Sequence, residues 1–251
     1  MSQTYSEILD ALEAGTLRAA TPVDGKWHVN LEVKAAILEA FKAGKNAPCP
    51  APHAGYIDKS TLMPQVFPVE RNIRVVPAGS AVRRGAYLAP GVIMMPPSYV
   101  NVGAYVDEGT MVDSHALVGS CAQIGKRVHL SAAVQIGGVL EPIGQAPVII
   151  EDDAFIGAGS VIVEGILVRK FAVLAPGVKL SKGVTVYDLT RERQVDLVSE
   201  GIPEGAVVVP GSRPVSSSWG KSQGLSAYCA LIVKYRDDKT SASTVLEAAI
   251  R

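Results

Sequence analysis

Ser98-Tyr99-Val100-Asn101-Val102-Gly103-Ala104-Tyr105-Val106-Asp107-Glu108-Gly109-Thr110-Met111-Val112 sets an aliphatic residue at every sixth position, with glycine three residues after the first two. Upstream the same frame passes through Val76, Val82, Leu88 and Met94, and downstream through Val118, Ile124, Leu130 and Ile136. After one interruption it resumes at Ile150 and continues through Ile156, Ile162, Val168, Leu174, Leu180 and Val186. Glycine fills the third following position again at Gly79, Gly85, Gly91, Gly159, Gly165, Gly177 and Gly183, where a corner needs backbone freedom that a Cβ restricts. A small or β-branched residue follows it, as in Ala104, Thr110 and Ser160.

Each six-residue unit reads as a short strand and a corner. Such a unit cannot bury its apolar side alone, so successive units stack into a solenoid around a column of Val, Ile and Leu. Three units closing one turn make a parallel β-helix; the spacing is too short, and the pattern too unlike hairpins, for a β-sandwich. Between Ile136 and Ile150 the chain is eight residues longer than the repeat demands. A loop containing Leu140-Glu141-Pro142-Ile143-Gly144-Gln145-Ala146-Pro147 therefore leaves the prism there, a candidate wall of a binding site.

One residue before the aliphatic positions stand Tyr87, Ile93, Tyr99, Tyr105, Met111 and Leu117. Facing outward, they expose more apolar surface than a monomer tolerates, and a three-sided prism suits a threefold ring. Helical spacing marks Tyr5 to Arg18 and Leu31 to Lys42, and the proline-rich stretch from Gly44 to Pro68 reads as irregular. Beyond the repeat, Thr190 to Arg193 reads as a turn and Ala206 to Val209 as a strand. Pro210 to Gly224 reads as mobile, Tyr228 to Tyr235 as a strand and Ser243 to Arg251 as a helix. The expected organisation is thus mainly β: a small helical N-terminal domain over 1–72, a parallel β-helix over 73–189 and a strand and helix cap over 190–251.

With 251 residues and 48% hydrophobic content the chain buries a core without staples. A formal net charge of zero gives no global basic field for nucleic acid or an anionic membrane, and no apolar run is long enough to span a bilayer. Cys49, Cys121 and Cys229 form no CxxC pair and leave one thiol over in any pairing, which fits reduced thiols in a cytoplasm.

A longer stretch carries a resemblance. It comprises Ser98 to Asp113, then Val118-Gly119-Ser120-Cys121-Ala122-Gln123-Ile124-Gly125, then Ile136-Gly137-Gly138-Val139-Leu140-Glu141-Pro142, and continues through Phe155-Ile156-Gly157-Ala158, Val163-Glu164-Gly165 and Tyr228-Cys229-Ala230. Together these resemble the tetrahydrodipicolinate N-succinyltransferase family of hexapeptide-repeat acyltransferases. The resemblance implies a left-handed coil, a homotrimer with active sites between neighbouring prisms, and an acyl-CoA co-substrate without a metal. The substrate implied is a small amino-dicarboxylate of the lysine and diaminopimelate pathway.

It also implies two catalytic carboxylates, Asp113 of the MVD motif and Glu164 of the VEG motif. Acyl transfer from a thioester needs an unprotonated amine, a base to accept its proton and donors for the developing oxyanion. Met111, Ser131 and Gly159 are the positions expected on the acceptor. Backbone near Gly138, Ala158 and Ala175 is expected to meet the pantetheine, and Lys179 and Lys182, with Arg191 and Lys221 as further candidates, the phosphates.

Three departures fall around this site. The family's Thr-Trp-Ala after MVD is here Ser114-His115-Ala116, its Gly-Ala-Arg-Ser-Glu is Gly157-Ala158-Gly159-Ser160-Val161, and its Leu-Ser-Gly-Gly-Val is Leu130-Ser131-Ala132-Ala133-Val134. A bidentate arginine suits a dicarboxylate, and Gly159 supplies none. Two readings follow: an orthodox succinyltransferase, or a relative adapted to another acceptor or to acetyl-CoA, as in tabtoxin biosynthesis. His115, two residues from Asp113, is a third catalytic candidate, since extended backbone puts both side chains on one side. A γ-carbonic-anhydrase-like or non-catalytic binding solenoid is the alternative from another class. Catalytic zinc there needs three ligands, and only His115 and His129 lie in the coils.

Overall fold

The computed structural model describes residues 3–236; the helix expected over Ser243 to Arg251 lies outside them. Helix α1 (Tyr5–Glu13) starts at Thr4, which exchanges hydrogen bonds with Glu7 in a capping box and leaves Ile8, Leu9 and Leu12 buried. Helix α2 (Leu31–Ala43) starts at Asn30, whose side chain accepts the Val33 N–H. Between them lies a hairpin, Ala20–Val23 against Lys26–Val29, and after them a second, Asn46–Pro48 against Ile57–Lys59. The stretch from Gly44 to Pro68, read from sequence as irregular, therefore contains a paired segment.

The repeat forms a triangular tube of parallel two-residue strands. Face I stacks Tyr87–Leu88, Tyr105–Val106, Gln123–Ile124, Ile149–Ile150 and Leu167–Val168. Face II stacks Arg74–Val75, Ile93–Met94, Met111–Val112, His129–Leu130, Phe155–Ile156 and Val173–Leu174. Face III stacks Ala81–Val82, Tyr99–Val100, Leu117–Val118, Gln135–Ile136, Val161–Ile162 and Lys179–Leu180. From Val82 to Val186 every sixth-position residue is 2% exposed or less, so the aliphatic column is the interior of the tube. Burying each such side chain contributes ~1.5–3 kcal/mol, and the column is the main reason the coils stack.

Val76 is not part of that column. Val75 pairs with Met94, one residue out of frame, and Val75 packs against the core in its place. Most third-position corners lie at positive φ, Pro97, Val139 and Gly183 excepted, and these include six without glycine: His115 (62°), Cys121 (65°), Arg127 (52°), Ala133 (60°), Asp153 (60°) and Phe171 (60°). Each such residue gives up about 1 kcal/mol relative to glycine.

The column also extends past the interruption at the C-terminal end. Ile202 bridges to Val168 on face I, and Val208, six residues on, pairs with Leu174 on face II. The strand Ala206–Pro214 continues far beyond the expected Val209 and pairs antiparallel with Ser226–Tyr235. Pro210 to Gly224, read as mobile, thus begins as strand through Pro214, and its tip carries helix α3 (Ser218–Ser222).

The N-terminal domain covers face I. Arg18 lies 3.7 Å over the Tyr105 ring and donates to the Gln123 side chain (2.9 Å), and the Trp27 indole donates to Glu151 (2.9 Å). Tyr87 and Tyr105, expected to meet another subunit, are therefore covered within the chain. No described helix is long and apolar enough to cross a membrane.

Candidate functional site

Corners in register form the three edges of the tube. The edge between faces II and III is built from residues 95–98, 113–116, 131–134, 157–160 and 175–178. Backbone hydrogen bonds tie these corners together: His115 N–H to the Pro97 carbonyl (2.5 Å), Ala133 to Ser114 (2.8 Å), Gly159 to Ala132 (2.9 Å) and Gly177 to Ala158 (2.9 Å). The three departures His115, Ala133 and Gly159 consequently occupy one slot in three consecutive coils. Sequence alone placed them near one pocket; stacking makes them a single ladder.

Asp113 opens its corner half-buried, and its Oδ1 accepts the Ser114 N–H at 2.7 Å. No described hydrogen bond engages Oδ2, which is left for a proton or an amine. His115 is exposed at φ 62°, and its carbonyl accepts from the Gln135 side chain (3.1 Å). The backbone there is not extended, so the two-residue spacing does not set the imidazole beside Asp113, and no hydrogen bond joins them among the described residues. Ser131, one coil on, is buried, and Gly159 is exposed with open space where a side chain would stand. Met111 sits half-buried on face II between Ile93 and His129, whose ring stacks on Phe155 at 5.1 Å.

Glu164 belongs to a different edge. It follows Val161–Ile162 of face III and precedes Leu167–Val168 of face I, exposed and at φ 58°. Its Oε2 accepts the Lys182 N–H at 2.9 Å. Gly138 shares that edge, while Ala158 and Ala175 stand on the edge of Asp113. One prism therefore divides the expected site into two sets separated by face III: Asp113, His115, Ser131, Ala158 and Gly159 on one side, and Gly138, Glu164 and Lys182 on the other.

The eight-residue insertion forms a ledge beside Glu164. Lys34, fully buried on helix α2, donates to the Gln145 carbonyl (2.6 Å), and Leu140 packs into the N-terminal core. Burial holds the Lys34 ammonium below its ordinary pKa and pushes the neighbouring Cys121 thiol up to about 12. Ala146 approaches Gly165 so closely that an added Cβ would strike its carbonyl, which explains the glycine after Glu164.

The expected coenzyme positions divide as well. Ala158 and Gly138 are exposed, and their N–H groups make no hydrogen bond among the described residues. Ala175 is buried, and its N–H is committed to the Val208 carbonyl (2.8 Å), so it offers no donor. Lys179 and Lys182 are exposed, as is Lys221, whereas Arg191 lies over the Tyr235 ring (4.2 Å) and beside Asp188. Sequence reading missed Tyr228, whose hydroxyl accepts the Lys179 N–H (2.7 Å) and fastens the C-terminal hairpin to the edge of Asp113. Among the described residues no three His, Cys, Asp or Glu side chains converge as a metal site.

Residues 1–42 match the family model described as tetrahydrodipicolinate N-succinyltransferase N-terminal, and residues 147–182 match the hexapeptide repeat of succinyl-transferase. The 2,3,4,5-tetrahydropyridine-2,6-dicarboxylate N-succinyltransferase of Azoarcus sp. (strain BH72) is 48% identical, covering 98% of this chain and 88% of that protein. The chain belongs to the tetrahydrodipicolinate N-succinyltransferase family. Proteins of the same description from Aromatoleum aromaticum (47% identical; 98% and 88% covered) and Acinetobacter baylyi (46%; 99% and 89%) are similar over the same extent. The tube is accordingly the left-handed parallel β-helix of hexapeptide-repeat acyltransferases, and the protein is an acyl-CoA-dependent N-acyltransferase acting on a small molecule.

Proposed function

We propose that the protein transfers a succinyl group from succinyl-CoA to the amine of tetrahydrodipicolinate in its hydrated, ring-opened form, at sites shared between neighbours in a cytoplasmic homotrimer. The observation that carries the shared site is the placement of Asp113 and Glu164 on different edges of one prism. Neither carboxylate reaches the other within a chain, and a threefold ring sets the Asp113 edge of one copy against the Glu164 edge of the next. In that groove Asp113 accepts the amine proton as nitrogen attacks the thioester carbonyl; the C–N bond forms, the C–S bond breaks and the thiolate leaves with a proton. The exposed N–H groups of Ala158 and Gly138 supply donors for the pantetheine. Lys179 and Lys182 supply charge beside it, and Met111, Ser131 and Gly159 adjoin the acceptor.

A second reading, in which the acceptor is another amino acid, is favoured by the His115, Ala133 and Gly159 ladder, which presents no cation to a second carboxylate. Thiol release from succinyl-CoA and acetyl-CoA, each crossed with tetrahydrodipicolinate and L-2-aminopimelate, separates them. Fastest turnover of succinyl-CoA with tetrahydrodipicolinate is expected; preference for acetyl-CoA or for an acceptor with one carboxylate would replace the first reading by the second.

A further inference from the structure

The strand Ala206–Pro214 enters as the last rung of face II, with Val207 and Val208 paired to Val173 and Leu174. Where every earlier strand of that face bends at its inward residue, this one runs straight on and leaves the tube at the edge of Asp113. Its partner strand holds it there through Tyr228 and the Lys179 N–H. Arg213 lies on this projecting arm, paired with Ala227 and half-buried beside Cys229. Among the described residues its Nε is the one buried side-chain nitrogen or oxygen without a hydrogen-bond partner. Among those residues no ion pair engages its guanidinium, whereas Arg83, Arg84, Arg127, Arg191 and Arg193 each face a carboxylate.

A buried guanidinium Nε without a partner is costly, and an anion at the half-exposed head of the same group would offset that cost. Four coil steps separate the corner of Asp113 from the level of the arm. At ~4.8 Å per step this is about 19 Å, close to the reach of an extended pantetheine. The free Ala158 N–H lies between the two ends.

We infer that Arg213 is a phosphate-binding residue for the coenzyme A donor, holding the nucleotide end of the molecule while its thioester lies at Asp113. This rests on the acyl-CoA reading above and adds to it a residue outside the coils. The anion is one of coenzyme A's own phosphates, either the pyrophosphate or the 3′-phosphate.

The full-length protein and its Arg213→Met and Arg213→Lys variants, titrated calorimetrically with coenzyme A, 3′-dephospho-coenzyme A and pantetheine, test this. Loss of a charged hydrogen bond is expected to raise the Kd for coenzyme A about tenfold to a hundredfold in Arg213→Met, with partial recovery in Arg213→Lys. Pantetheine, which lacks phosphate, should bind both proteins alike. If 3′-dephospho-coenzyme A shows the same loss, the pyrophosphate is the contact; if it shows none, the 3′-phosphate is. An unchanged Kd for coenzyme A, or equal weakening for pantetheine, overturns the assignment. The melting temperature of Arg213→Met should be no lower than that of the parent, because a buried donor without a partner is removed; a lower one marks a structural arginine and counts against the proposal. Failure of the parent protein to bind coenzyme A at all would instead overturn the acyl-CoA reading, and the phosphate role with it.

Discussion

Gly159 shows what a single corner residue decides. It stands at φ 67° with nothing within 4 Å of where a Cβ would be, in the coil above Ser131 and two above Asp113. Gly159→Arg should therefore fold, losing about 1 kcal/mol to the left-handed backbone. If the acceptor's second carboxylate lies here, kcat/KM for a dicarboxylate acceptor should rise about tenfold over that for its monocarboxylate analogue. Steady-state kinetics on the pair checks this, and an unchanged ratio would remove Gly159 from the acceptor pocket. His115 is the converse case. Read as extended sequence it sits beside Asp113; folded, it is a corner residue whose backbone is held by Pro97 and Gln135. The identity of the residue was legible, but its direction was not, because the sign of φ at a corner is set by the repeat and not by the side chain.

At the scale of elements, the C-terminal hairpin depends on one buried acid. Asp188 has a fully buried side chain and accepts hydrogen bonds from Tyr235 Oη (2.6 Å), the Thr190 hydroxyl (2.7 Å) and the Thr190 and Arg191 N–H groups. Burial by itself raises its carboxyl, but these hydrogen bonds outweigh it and hold the pKa below the ordinary value. Burial and the same carboxylate push the Tyr235 hydroxyl up to about 12. A depressed acid stabilises the fold above its unfolded pKa, about 3.9, and that contribution is lost as pH falls through the folded value. Asp188→Asn is accordingly expected to cost about 2–4 kcal/mol at pH 7, and to flatten the loss of stability below about pH 4. Urea unfolding at several pH values measures both.

The elements differ in how readable they were. The helices announce themselves through Thr4, Asn30 and their apolar spacing. The first hairpin carried an unused signal, Asp24-Gly25, both at positive φ in a two-residue turn. Gly211, Ser212 and Arg213 carry no strand preference, and they are extended only because Cys229, Tyr228 and Ala227 pair with them.

For the whole molecule the decisive observation is that Asp113 and Glu164 stand on different edges of one prism, which the proposed function reads as two half-sites. Asp113→Asn and Glu164→Gln should each reduce kcat by at least about a hundredfold, as loss of a general base does. Mixed after unfolding and refolding together, the two inactive variants should regain activity, because a groove pairing intact Asp113 with intact Glu164 forms at roughly one interface in four of a random threefold ring. No recovery, or a monomer in sedimentation equilibrium, would refute the shared site.

The column from Val82 to Val186, the tube it implies and the family were determined by the sequence alone. An aliphatic residue at every sixth place is a local period, and a local period needs no tertiary information to be seen. Which edge each corner joins depends on stacking across 18 residues, or 26 where the insertion intervenes, as between Ile124 and Ile150. So does the orphaned Nε of Arg213, since burial without a partner is a property of everything packed around an atom. Those features exist only once the coils are closed on one another, and only the tertiary structure decided them.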